Sequence, residues 1–273
     1  MSNMLGALGS EWGDIADYVR DKILSRLVAM GSDESLRNHA LGRLAPPRLL
    51  YVATVWVDDC ALRRKVALGA GLHMLGINLI DDLLDQDTNQ ACTELTCAGS
   101  FLLQSGASIL CTLARSQTGW KELELRYQRI SRATLAEMRQ RPGSLQEWVD
   151  LAQVKAGEVL ECYVALACLA AGKEPRLHIE RSLARALGLM FAVRDDWTDF
   201  WKRREEQGNL FWLLMEGRAE MTAVRHAVAE AANVAAKAMS IDGAAAELKW
   251  LVEEQHALIE ERLERFSCHG HGG

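Results

Sequence analysis

The chain has 273 residues, 49% of them hydrophobic, and 31 basic against 37 acidic side chains give a formal charge of −6. That apolar share can fill one large core or two small ones, whereas the acidic balance argues against a nucleic-acid partner, which needs a basic face. The opening MSNMLGALGSEWGD lacks the basic stretch of a secretory signal, no window nears the roughly 18 uninterrupted apolar residues of a transmembrane segment, and the seven cysteines include no CxxC pair, so a cytoplasmic, reduced globular protein without a zinc site is expected.

In chain order, apolar residues recur every three or four positions and predict helices over 11–30, 33–44, 47–58, 60–86, 91–116, 119–139, 144–171, 175–203, 207–216, 218–239 and 243–266. The clearest stretch holds Leu183, Leu187, Met190, Phe191 and Trp197, and the last repeats the pattern through Leu248, Leu251, Val252, Leu258, Ile259, Leu263 and Phe266. Prolines stand at 46, 47, 142 and 175 alone. The Arg141-Pro142-Gly143-Ser144 break ends one helix and offers Ser144 as the N-cap of the next. No run alternates in the manner of a strand, and no linker is long enough to separate a pair of domains. The expectation is one all-α domain, a bundle of about ten helices around a central apolar cavity over 1–266, with a disordered tail at 267–273.

Two carboxylate clusters stand out. Asp81-Asp82-Leu83-Leu84-Asp85 follows the apolar run LGAGLHMLGINLI, and Asp195-Asp196-Trp197-Thr198-Asp199 follows LARALGLMFAV. Both read DDxxD. On a helix, positions i and i+4 share a face and i+1 lies about 100° round, so each cluster projects two carboxylates one turn apart with a third beside them. Such like charges on core helices need neutralising, and hard divalent cations with oxygen ligands do so. Magnesium takes one or two carboxylates and completes its shell with water and phosphate oxygens. Two facing DDxxD helices would therefore hold a diphosphate through Mg2+ ions that also neutralise charge on a leaving diphosphate. A single DDxxD is as readily a solvated surface; two, each behind an apolar helical run, point to metal.

At these residues the sequence resembles the trans-polyprenyl diphosphate synthase family, whose fold is the all-α isoprenoid synthase fold, over about residues 40–217. LGINLIDDLLDQD is similar to the family's first aspartate-rich motif and GLMFAVRDDWTDF to its second. Lys155 matches the lysine of its Lys-Thr motif, and GNLFWLLMEG at 208–217 stands where the family has Lys-x-Thr-Leu-Pro. The resemblance implies that Asp81, Asp82, Asp85, Asp195, Asp196 and Asp199 are catalytic and bind Mg2+, and that Lys155 grips an allylic prenyl diphosphate, with Gly76, Ile77 and Phe191 also on the substrate side. In that family bulky aromatics at the positions of Gly76 and Ile77 shorten the product. It implies a homodimer as well.

The chain also departs from the family. QDTNQACTEL after the first motif lacks the two arginines of chain-elongating members, Gly42-Arg43 and Arg48 only loosely echo the isopentenyl-diphosphate element, and Ala192 and Ala156 replace a glutamine and a threonine. Losing charge-assisted donors at about 1.5–3 kcal/mol each would weaken a second diphosphate. This pattern is similar to a divergent branch that includes the prenyltransferase of moenomycin assembly. It implies a Mg2+-dependent prenyltransferase with an acceptor other than isopentenyl diphosphate. The alternatives are a terpene cyclase of this fold, a chain-elongating synthase, and a regulatory subunit, though such subunits tend to lose their aspartates.

Other residues have plainer readings. Trp197, Trp201 and Trp212 suit packing better than cation stabilisation. His73 reads as a buried, hydrogen-bonded histidine. Arg194, Lys202, Arg203 and Arg204 suit a solvated helix end better than a diphosphate grip. Cys60, Cys111, Cys162 and Cys168 read as small core residues.

Overall fold

The computed structural model describes residues 2–44, 54, 57–84, 91–114, 117–139, 141–172, 177–203, 208–242 and 246–269. Among the described residues there are ten helices and no strand: α1 Ser2–Ala29, α2 Glu34–Gly42, α3 Cys60–Leu84, α4 Cys92–Ala114, α5 Gln117–Arg139, α6 Leu145–Ala170, α7 Leu177–Arg203, α8 Leu210–Met215, α9 Met221–Asp242 and α10 Ala246–His269. The all-α expectation holds. α1 begins well before the predicted residue 11, because extending a formed helix adds one hydrogen bond per residue and outweighs the glycines at 6 and 9. α10 runs three residues past the predicted end at 266. The predicted helix over 47–58 lies outside the described residues except at Thr54, Val57 and Asp58.

The chain forms two compact units, one of residues 1–123 with 163–174 and the other of 124–162 with 175–273. In the first, α1 presents Ile15, Val19, Ile23 and Leu27, one face at four-residue spacing, and packs on α3. Asp33 caps α2 by accepting from the Leu36 amide at 2.8 Å, and Asp59 starts α3 by accepting from the Leu62 amide at 2.6 Å.

α3 and α4 pack along a seam of glycines. Gly69 and Gly76 on α3 and Gly99 and Gly106 on α4 recur at the same seven-residue interval. A Cβ on Gly76 would stand 2.5 Å from the Leu103 nitrogen, and one on Gly106 would stand 2.4 Å from the His73 nitrogen. Only hydrogen fits there. Segments of both helices, Cys60–Leu83 and Cys92–Ala114, are long and apolar enough to cross a membrane by length and composition. Their mutual packing gives that apolarity a use inside the fold. Beside the seam, His73 Nδ1 and the Tyr163 hydroxyl share a buried hydrogen bond of 2.8 Å, as expected of this histidine. Burial lowers the His73 pKa to about 4.

In the second unit, Ser144 accepts from the Glu147 amide at 3.3 Å and so caps α6, as the sequence predicts. Glu147 reaches back to the Gly143 amide at 2.7 Å, close to a capping box. α7 packs against α8, α9 and α10. α6 and α7 meet at a glycine pair, where a Cβ on Gly188 would stand 2.5 Å from the Gly157 nitrogen. Beyond this contact two buried glutamates of α6 take arginines from both sides. Arg126 of α5 stands 2.6 Å from Glu161, Arg181 of α7 stands 3.2 Å from it, and Arg129 and Arg185 lie 3.5 and 3.7 Å from Glu158. Buried carboxylates tolerate desolvation only when paired in this way.

Candidate functional site

The first cluster occupies the last turn of α3. Asp81 is half-buried and Asp82 is buried, whereas Asp85 lies outside the described residues. Asp82 Oδ1 is 2.6 Å from Arg43 Nη2, and its Oδ2 is 3.0 Å from His39 Nε2. Asn78, one turn earlier, donates to the Arg43 carbonyl at 3.0 Å and holds the arginine's backbone too. Arg43, the sequence's loose echo of an acceptor-diphosphate element, is thus engaged with a motif aspartate.

The second cluster lies near the end of α7. Asp195 is exposed, and Asp196 and Asp199 are half-buried. Asp196 Oδ2 accepts from the Trp148 indole N–H at 2.8 Å and from the Leu210 amide at 2.6 Å. Its carbonyl accepts from Asn209 Nδ2 at 2.8 Å, and Asn209 Oδ1 in turn caps α8 by accepting from the Phe211 amide at 2.8 Å. Gly208, at φ +88°, makes the turn into α8 and abuts Pro142, where a Cβ would stand 2.9 Å from Cδ. Burial pushes the Asp196 carboxyl up to about 8, against the pull of its two donors and with help from Asp195 and Asp199.

Around this cluster the aromatic side chains pack edge to face. Trp197 meets Trp201 and Phe211, and Phe200 meets Trp212 and Phe266, at centroid distances of 5.2–5.7 Å. The packing reading of these tryptophans fits. Arg194 donates to Gln255 at 3.2 Å, and Arg262 donates to the Arg194 carbonyl at 3.1 Å. The side chains of Lys202 and Arg203, and all of Arg204, lie outside the described residues.

Of the remaining predicted site residues, Lys155 is half-buried on α6, Phe191 is buried on α7 and Ile77 is half-buried on α3. Gly76 faces the α4 backbone in the glycine seam, which gives its small size a packing reason. Sequence reasoning missed Trp148, Asn209, His39 and the Gly157–Gly188 contact. A lone tryptophan and an asparagine carry no signal of their own, and the contacts are long-range. A groove of about 480 Å³ in the second unit, lined by Val149, Asp150, Leu189, His226 and Val234 among others, receives no residue from either cluster.

The donors fit magnesium only partly. Among the described residues no group of three or more His, Cys, Asp and Glu side chains could hold a metal ion. An ion completed by water and phosphate oxygens needs only one or two carboxylates. Asp81, Asp195 and Asp199 are hard oxygen donors of that kind. Protein donors occupy both oxygens of Asp82 and the Oδ2 of Asp196.

No family model and no curated protein matches the chain. Solved structures do. A geranyltranstransferase from Methanosarcina mazei superposes with a TM-score of 0.68 at 13% identity, over 89% of this chain and 96% of that one. A putative farnesyl-diphosphate synthase from Marinomonas sp. MED121 gives 0.62 at 20% identity, over 91% and 98%. A geranylgeranyl pyrophosphate synthase from Corynebacterium glutamicum, complexed with calcium and isoprenyl diphosphate, gives 0.64 at 15% identity, over 95% and 98%. Over nearly its whole length the chain therefore has the fold of these prenyl diphosphate synthases, the isoprenoid synthase fold expected from its two aspartate clusters.

Proposed function

We propose that the protein is a Mg2+-dependent prenyltransferase that ionises an allylic prenyl diphosphate and passes the prenyl group to an acceptor other than isopentenyl diphosphate. The observation that carries this is the pair of DDxxD clusters, each on a long apolar helix, in a chain whose fold is shared with prenyl diphosphate synthases. Asp81 at the first cluster and Asp195 and Asp199 at the second hold the metal. Bound there, magnesium neutralises the charge that develops on the departing diphosphate. Lys155 adds a cationic contact to the same diphosphate. Apolar side chains such as Ile77 and Phe191 keep water from the allylic cation. Arg43 supports the choice of acceptor, because its guanidinium is engaged with Asp82 and the stretch QDTNQACTEL after the first cluster carries no cation for a second diphosphate.

The working protein is cytoplasmic and homodimeric in this reading, and 1–266 acts as one domain. The test is mass spectrometry of products from geranyl, farnesyl and geranylgeranyl diphosphates, with and without isopentenyl diphosphate, in Mg2+. Diphosphate release that needs Mg2+ and disappears in an Asp81→Ala, Asp195→Ala double variant supports the assignment. Release unchanged in that variant refutes it, and growth of longer prenyl diphosphates refutes the choice of acceptor.

A further inference from the structure

The last helix brings positive charge to the second unit's aspartates. On α10, Gln255 and Arg262 stand seven residues apart and so share one face, two turns apart. Both reach the same residue of α7. Arg194 Nη1 donates to Gln255 Oε1 at 3.2 Å, and Arg262 Nη1 donates to the Arg194 carbonyl at 3.1 Å. The Thr198 hydroxyl donates to that carbonyl as well, at 3.0 Å. The Arg262 guanidinium therefore lies against the turn of α7 that contains Asp195, whose charge acts on it. One turn further along α10, Phe266 packs on Phe200 and Phe211 and holds the helix at this height.

The junction is rich in donors and poor in acceptors. Arg262 is half-buried; burial lowers its pKa and the neighbouring Arg194 charge adds to this, while Asp195 and Glu261 oppose it. The buried Gln255 brings no charge to offset the two arginines. Its oxygen is taken by Arg194, and its Nε2 is a buried donor with no hydrogen-bond partner among the described residues. Two guanidiniums and a spare amide suit an anion that offers several oxygens.

We propose that Arg262 is a diphosphate-binding residue, a cation that the last helix supplies beside Asp195 to grip the leaving group directly. This rests on the prenyltransferase reading for the diphosphate, while the placement of Arg262 stands on its bond to α7. Nη1 holds the Arg194 carbonyl and so sets the plane of the guanidinium, whose rigid fork of N–H groups matches phosphate oxygens. A cation in that place has an electrostatic signature. It repels a metal ion that arrives alone and attracts the diphosphate that follows. A residue that only braced α10 against α7 would show no such opposition.

The test is calorimetry on the full chain, first with Mn2+ alone and then with inorganic pyrophosphate added to the Mn2+-loaded protein. Arg262→Gln should bind Mn2+ alone at least as tightly as the parent, yet lose about tenfold or more in pyrophosphate affinity, the size of a charge-assisted contact. Arg265→Gln removes the same charge from an exposed residue of α10 paired with Glu261, and should change neither affinity. Weaker Mn2+ and weaker pyrophosphate together in Arg262→Gln overturn the proposal, because they mean that α10 only braces α7. Pyrophosphate affinity unchanged in Arg262→Gln, or reduced as much in Arg265→Gln, overturns it too. All three results leave the proposed function standing, whereas a parent that binds neither Mn2+ nor pyrophosphate overturns that function and this inference with it. Should Arg262→Gln fail to fold, Arg262→Lys keeps the charge and removes the fork. Unchanged Mn2+ affinity with pyrophosphate weakened severalfold there supports the contact, and unchanged pyrophosphate affinity overturns it.

Discussion

The Trp148 indole donates to the Asp196 carboxylate at 2.8 Å across 48 residues of sequence, joining the first turn of α6 to the second aspartate cluster. Trp148 is buried and the bond partly so, which limits how far solvent can make good its loss. Trp148→Phe should lower unfolding stability by about 1–3 kcal/mol through that lost bond, measured by urea denaturation. An unchanged denaturation midpoint would mean that water replaces the indole.

Arg43→Ala should cost a comparable amount, about 1.5–3 kcal/mol for a charge-assisted contact. It strands the buried Asp82 carboxylate with His39 as its remaining described partner. Double-mutant cycles with Asp82→Asn would show a coupling energy near the single-variant cost, and additive effects would argue against the pair.

Glycine-to-alanine changes should differ in sign along the chain. Gly76→Ala puts a methyl group 2.5 Å from the Leu103 nitrogen, a backbone atom with no room to yield, and should destabilise by about 1–3 kcal/mol or more. Gly188→Ala meets the Gly157 backbone at the same distance and should behave alike. Gly13→Ala, on an exposed face of α1 with nothing within 4 Å, should stabilise by about 0.5–1 kcal/mol. Thermal melts of the three variants check the ordering.

His73 and the Asp196 carboxyl tilt the pH profile of metal-free stability in opposite directions. The unfolded chain protonates His73 near 6.5 and the folded protein resists until about 4, so this group makes stability fall as pH drops through that interval, by roughly 3 kcal/mol in all. Asp196 is held protonated up to about 8 in the folded protein but ionises near 3.8 when unfolded, so it makes stability fall as pH rises from about 4 to 8. The two slopes oppose each other below 6.5, and above it Asp196 acts without His73. Asp196→Asn should therefore expose a stability that rises from pH 4 to 6.5 and then levels, as read by denaturation at a series of pH values. A variant that still loses stability from pH 6.5 to 8 would exclude Asp196 as the cause.

The helical fold was legible in the sequence because apolar spacing sets which face of a helix is buried, and the Ser144 cap and both aspartate clusters stand in the chain as local patterns. What lies around each cluster was not legible. Asp82 looks identical to Asp81 until His39 and Arg43, about forty residues earlier, are brought beside it, and Asp196 depends in the same way on Trp148. Gly76 shows how a local reading can assign the wrong reason to a position. Beside an aspartate motif it suggests room for substrate, but its neighbour is a helix backbone. The seven-residue interval it shares with Gly69, and that Gly99 shares with Gly106, was the available signal.

That interval has a consequence for how Asp81 is held. Two helices in backbone contact at several hydrogen-only notches cannot slide past one another in small steps, because the next residue along would drive a leucine or His73 into the opposing row of peptide groups. The height of the aspartate along its helix is thus indexed by residues with no side chain at all, and a chemist wishing to move that carboxylate would have to recut the notches first.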